Sequence, residues 1–190
     1  IREDVVACRD ELPADDDARP RVVVCFGGSD PNELTARVAA ALHDVANRLR
    51  VQVVLAPTAP HARIKSQVLA RRYPEQAIIA TGDPLEPILA GAALLVTAMG
   101  VSVGEALALG TPAAVLSNYE HDAPAVAQLA RTGAVADLGR QDAVDQYALV
   151  RALAAVIDRD NLVTMRRAAR GVVDGQGASR AAEHVANLVA

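Results

Sequence analysis

From Arg21 onward, short β-branched runs alternate with longer amphipathic ones, and that alternation leaves few architectures open. Strands are predicted at Arg21 to Phe26, Val51 to Leu55, Gln76 to Ala80, Ala93 to Val96, Ala113 to Leu116 and Ala134 to Asp137. Helices are predicted between them, at Asn32 to Arg48, His61 to Arg71, Val103 to Leu109, Ala123 to Arg131 and Val144 to Ile157. The tail from Asn161 is helical again, broken at Asp174 to Ser179. Strand and helix in strict succession make βαβ units around a parallel sheet. Strands apolar on both sides need helices above and below. The expected fold is therefore an α/β, three-layer Rossmann-like sandwich with a parallel sheet of about six strands.

Composition agrees with one such domain and narrows its partners. The 190 residues are 52% hydrophobic and 22% charged, which is enough apolar content for a real core. A net charge of -4 offers no broad cationic face, so nucleic acid is not an expected partner. The longest apolar runs, such as Ala90 to Val96, fall well short of the roughly 20 residues that cross a bilayer. Cys8 and Cys25 have no metal-ligand spacing and read as reduced, Cys25 as a small hydrophobe within a strand. No signal sequence is legible, so a cytoplasmic location is expected. The chain starts on Ile rather than Met, and residues 1–20 read as an acidic loop or linker ahead of a domain at 21–190.

In such sheets ligands bind beyond the carboxyl ends of the strands, so the strand-to-helix loops are where function belongs. The first reads "FGGSDPNE". Gly27 and Gly28 permit positive φ and a close approach of backbone N–H groups to a ligand. With Ser29 they suit a phosphate at a helix N-terminus. Asp30, Pro31 and Glu33 are expected to start that helix, Asp30 as cap and Glu33 in capping-box spacing.

The second loop runs from Thr97 to Pro112 and closes on Gly110 as a helix-ending glycine. Two roles are open for Glu105 here: closing a capping box with Ser102, or accepting hydrogen bonds from ribose hydroxyls. Gly100 and Gly104 would let a ligand lie against the backbone. The third loop, with Thr81 and Gly82, lies on the same rim and either only connects or meets a base edge. In the fourth, Asn118, His121 and Asp122 cluster past a buried strand, His121 being either a donor to sugar or phosphate or a surface cap. Neither G-x-G-x-x-G nor Walker A is present, and no catalytic triad, carboxylate pair or metal cluster is proposed.

"FGGSDPNELT" at Phe26 to Thr35, "AMGVSVGEALALGTP" at Ala98 to Pro112 and "DGQGASRAAEHV" at Asp174 to Val185 resemble the C-terminal half of two-domain GT-B glycosyltransferases. Within that group the chain is most similar to the UDP-sugar hydrolase of pseudaminic acid biosynthesis and spore-coat polysaccharide proteins. It resembles more distantly the N-acetylglucosaminyltransferase of peptidoglycan synthesis. The resemblance covers the chain from Arg21 onward. It implies a domain that binds a nucleotide sugar, a UDP-sugar, without an obligatory cofactor or metal. It puts Gly27, Gly28 and Ser29 on the phosphate side, with Gly100, Val101 and Ser102 near the pyrophosphate. Glu105 then falls on ribose, Thr81 and Gly82 by the uracil, and Asn118, His121 and Asp122 toward the sugar.

Two loops depart from the family. Met99-Gly100-Val101-Ser102 stands where Gly-Gly-Ser-Thr is common, and the fourth loop lacks the usual Asn-Gln or Gln-Gln amides. The family's catalytic base follows a Gly-x-Gly turn in the N-terminal half, and none of the four histidines here does. The expectation is a nucleotide-sugar-binding half without a catalytic residue of its own, completed by an N-terminal domain. Two competitors are a non-catalytic nucleotide- or protein-binding module that has kept the fold, and, more weakly, a dinucleotide-dependent oxidoreductase.

Overall fold

The computed structural model describes Val5 and residues 20–45, 49–59, 61–80, 82 and 84–189. Cys8, Thr81 and nearly all of the acidic segment lie outside the described residues. Val5, which the sequence places in a loop, is helical and fully buried beside Val23, Val54 and Leu89.

Six strands form one sheet: β1 Arg21–Val24, β2 Arg50–Leu55, β3 Ala77–Ala80, β4 Leu94–Thr97, β5 Ala113–Ser117 and β6 Val135–Arg140. Their order is β3-β2-β1-β4-β5-β6 and every neighbouring pair is parallel. The expected parallel α/β sandwich is what forms. After Val5, the described helices are α1 Leu34–Val45, α2 Ala62–Arg72, α3 Glu86–Leu89, α4 Val101–Ala108, α5 Ala123–Ala130, α6 Gln146–Val156, α7 Arg159–Ala169 and α8 Gly177–Val189.

Strand alternation sets the layers, because successive side chains leave opposite faces. Val22, Val24, Leu94 and Val96 pack toward Leu34, Val38 and Leu42 of α1 and Leu149 and Leu153 of α6. Val23 and Leu95 face the other way, onto Leu89 of α3 and Ala106 of α4. Farther along that second face, Val115 and Val135 meet Leu107 of α4 and Val126 of α5. Each fully buried Val or Leu contributes about 1.5–3 kcal/mol of transfer free energy, so the four inner strands β2, β1, β4 and β5 carry most of the sheet's hold. The edge strands β3 and β6 are only partly buried.

Burial pushes the Cys25 thiol up, consistent with its reading as an inert core residue. Gly110 ends α4 as expected. At φ 73° it lets its N–H reach the Leu107 carbonyl while the Thr111 N–H reaches that of Ala106, the paired bonds of a Schellman turn.

Candidate functional site

The strand order reverses between β1 and β4, and a crevice opens there because the chain leaves one strand for each face of the sheet. The two strands stay hydrogen-bonded to the rim, where the Cys25 N–H donates to the Val96 carbonyl at 3.0 Å. The loop after β1 turns to the α1 face and the loop after β4 to the α4 face. Both glycine turns therefore stand side by side at one edge.

In the first turn Gly27 takes φ 74° and faces open space, whereas Gly28 is pressed against the loop after β2. The Thr58 hydroxyl donates to the Gly28 carbonyl at 2.9 Å, and a Cβ on Gly28 would stand 3.1 Å from that same oxygen. Ser29 is exposed. Asp30 caps the helix as expected, but the start comes later than the sequence suggests. Its buried carboxylate accepts the N–H groups of Leu34 at 2.8 Å and Thr35 at 3.2 Å. The expected capping box does not form, because Glu33 sits at φ 54° and pairs outward with Lys65 at 3.0 Å. Charge follows from this geometry. Two of the first N–H groups of α1 are thus already held by the Asp30 carboxylate, at the positive end of that helix.

The second turn is the opposite case. Helix α4 begins at Val101 behind Gly100, an extended residue with no side chain to cap it and nothing within 4 Å of its missing Cβ. Ser102 lies inside the first helical turn, so it is not a cap and the Ser102–Glu105 capping box is absent. Val101 is 75% exposed. Glu105, half-buried, lies one turn farther along the same stripe of the helix. The N-terminus of α4 is therefore left without a side-chain cap.

The remaining loops close around these two. Gly82 rests against Pro57, its missing Cβ 3.4 Å from the ring, so the loops after β2 and β3 lie together. The Asn32 side-chain NH2 donates to the Asn118 side-chain Oδ1 at 3.0 Å and ties the fourth loop to the first. A 3-10 turn, Glu120–Asp122, follows. Asp122 is turned inward: its carboxylate accepts the Tyr119 N–H at 3.2 Å and lies 3.7 Å from His121 Nε2. It is engaged within its own turn. His121 stays exposed and stacks on Tyr119, with ring centroids 5.2 Å apart and planes 8° apart. Tyr119 carries no motif that marks it in the sequence, although it is one of only three Tyr in a chain with one Phe and no Trp. Among the described residues no cluster of His, Cys, Asp or Glu could hold a metal, and no helix is long and apolar enough to cross a membrane.

The comparisons with known proteins agree with this architecture. No family model matches the chain. It is 27% identical over 177 residues to the spore coat polysaccharide biosynthesis protein SpsG of Bacillus subtilis, covering 92% of this chain and 52% of that protein. The chain thus spans about half the length of that relative. Among solved structures it superposes on Acinetobacter baumannii MurG with TM-score 0.72 and 18% identity, over 97% of this chain and 52% of that one. It superposes on the spinosyn rhamnosyltransferase SpnG, complexed with thymidine diphosphate, with TM-score 0.64 and 24% identity, over 80% and 40% of the two chains. The fold is the α/β Rossmann-like fold of the C-terminal domains of GT-B glycosyltransferases. By sequence the chain is similar to a spore coat polysaccharide protein.

Proposed function

We propose that this chain is the nucleotide-sugar-binding domain of a GT-B glycosyltransferase or UDP-sugar hydrolase of surface polysaccharide or nonulosonic acid synthesis. The observation that carries the reading is the uncapped α4 N-terminus at the crevice, beside the Gly27-Gly28 turn. The diphosphate sits on the Gly100, Val101 and Ser102 backbone, with Gly27, Gly28 and Ser29 closing over it from β1. Glu105, one turn along α4, accepts from the ribose hydroxyls. The base lies toward Gly82 and Thr81, across the loops after β2 and β3.

When the bond from the anomeric carbon to the β-phosphate oxygen breaks, negative charge grows on the leaving diphosphate. Oriented N–H groups and the positive end of α4 stabilise that charge without a change of geometry during the step. The general base and acceptor site belong to a second domain, for which a relative about twice as long has room. The thymidine diphosphate of the SpnG complex supports a pyrimidine nucleoside diphosphate as the ligand class.

Calorimetric titration with UDP, dTDP, CDP, GDP and NAD tests the reading. UDP is expected to bind, NAD not. Glu105→Ala is expected to weaken UDP about tenfold or more, the loss of hydrogen bonds to a charged group, while the melting temperature holds within a few degrees. If no nucleoside diphosphate binds, the domain is not a nucleotide site. Unchanged UDP affinity in Glu105→Ala with a fall in melting temperature would leave Glu105 a structural residue only.

A further inference from the structure

We propose that Thr58, on the loop after β2, is the positioning residue of the first glycine turn: it holds the Gly28 carbonyl so that the Ser29 N–H is presented to the phosphate. The inference rests on the nucleotide-site reading above and adds to it a residue that acts on the ligand only through another.

The two glycines of the turn meet different demands. Gly27 takes φ 74°, a backbone state that side chains avoid, and has open space where a Cβ would stand. Gly28 lies outside that left-handed region, so contact and not conformation is what excludes a side chain from it. A Cβ there would stand 3.1 Å from Thr58 Oγ1, inside van der Waals contact, and that hydroxyl donates to the Gly28 carbonyl at 2.9 Å. Position 28 is thus kept bare by the same hydroxyl that binds its backbone.

The bond orients a whole peptide plane. A trans peptide carries its C=O and the following N–H on opposite sides, so a Gly28 carbonyl drawn to the loop after β2 turns the Ser29 N–H away from that loop. In the sheet, β2 and β4 flank β1 on opposite sides, and the Cys25 bond to Val96 carries the β1–β4 pairing to the rim. Away from β2 is therefore the side of β4. Among the described residues nothing accepts the Ser29 N–H, and the Ser29 side chain is exposed. An oriented, unused donor on a turn is what an anion requires.

Thr58 can orient its neighbour because it is held itself. The Ala59 N–H donates to the Ala56 carbonyl at 2.9 Å and closes a turn around Pro57 and Thr58. Ala59 is buried in the core, and Pro57 lies 3.4 Å from the missing Cβ of Gly82. Thr58 is exposed, so removing its hydroxyl empties no core space.

The test is calorimetry with UDP on the unaltered chain, on Thr58→Ala, Thr58→Ser and Gly28→Ala, and on the double variant Gly28→Ala with Thr58→Ala, with melting temperatures alongside. Thr58→Ala is expected to weaken UDP about threefold to tenfold, the range of one net hydrogen bond, with the melting temperature held within a few degrees. Thr58→Ser keeps the hydroxyl and should hold UDP within about twofold. Gly28→Ala should lose as much as Thr58→Ala, because the new methyl displaces the same hydroxyl. The double variant should then lose no more than either single one, as residues acting through one contact do. Unchanged UDP affinity in Thr58→Ala overturns the proposal, and so does an equal loss in Thr58→Ser. Losses that add in the double variant, or that follow a fall in melting temperature, overturn it as well. If UDP does not bind the unaltered chain, the nucleotide-site reading fails and takes this one with it, whereas UDP binding that ignores Thr58 sinks this one alone.

Discussion

Asp30 shows how one side chain can set two similar glycine turns apart in charge. Both glycine turns precede a helix, but only the first carries a carboxylate whose oxygens reach the helix amides, and that carboxylate is buried. Asp30→Ala removes two bonds to a charged acceptor and leaves buried N–H groups unmet, a cost of about 2–4 kcal/mol in urea unfolding. UDP affinity of the folded variant is expected to stay level or rise, because a negative charge leaves the neighbourhood of a diphosphate. A loss of UDP binding in a variant that still folds would mean that Asp30 positions the ligand. The sequence made Asp30 legible as a cap. It did not show that Asp30 and Glu33 both adopt positive φ, because only the packed turn demands that of non-glycine residues.

At the scale of the element, α4 carries the proposal. Its first turn has no cap, so an acidic residue there should help the helix and harm the ligand. Ser102→Asp is expected to leave stability unchanged or raise it by about 0.3–1 kcal/mol through the helix dipole. UDP affinity is expected to fall by more than tenfold in calorimetry. Stability and binding moving together would refute a phosphate seat on α4. The position of this helix could be read from the glycine after its end, and its start could not. Ser102 to Glu105 has the spacing of a capping box that would start the helix at Val103, but the chain turns helical two residues earlier, at Val101, behind an extended Gly100 that lies past the end of β4.

At the scale of the whole molecule, α8 is the least covered of the described helices. Helix α8 is exposed along its described side chains and is entered through Asp174, which accepts the Gln176 N–H and a two-pronged bond from Arg180 at 2.6 and 3.1 Å. The Arg180 guanidinium holds the Asp174 carboxyl well below its usual range, at about 2 against 3.8. A depressed carboxyl contributes stability above its unfolded value and loses it as pH falls through the folded one. The protection of α8 amides, taken relative to their intrinsic exchange rates, should therefore fall between pH 3.8 and about 2. Asp174→Asn should remove that step, and α8 protection that is independent of pH in the unaltered chain would count against the latch. An exposed pair of this kind contributes little to global unfolding, so the sheet amides should not follow it. The six strands, the parallel sheet and both glycine turns were legible in the sequence, because burial on two faces writes itself as continuous apolar runs and glycine marks where the chain must bend without a side chain. Three things were decided only in three dimensions: which helix end stays bare, that Asp122 turns inward, and that Tyr119 stacks on His121. Each depends on contacts between loops distant in sequence, such as Asn32 with Asn118, and the strand order that brings those loops together is not encoded in any local pattern of residues.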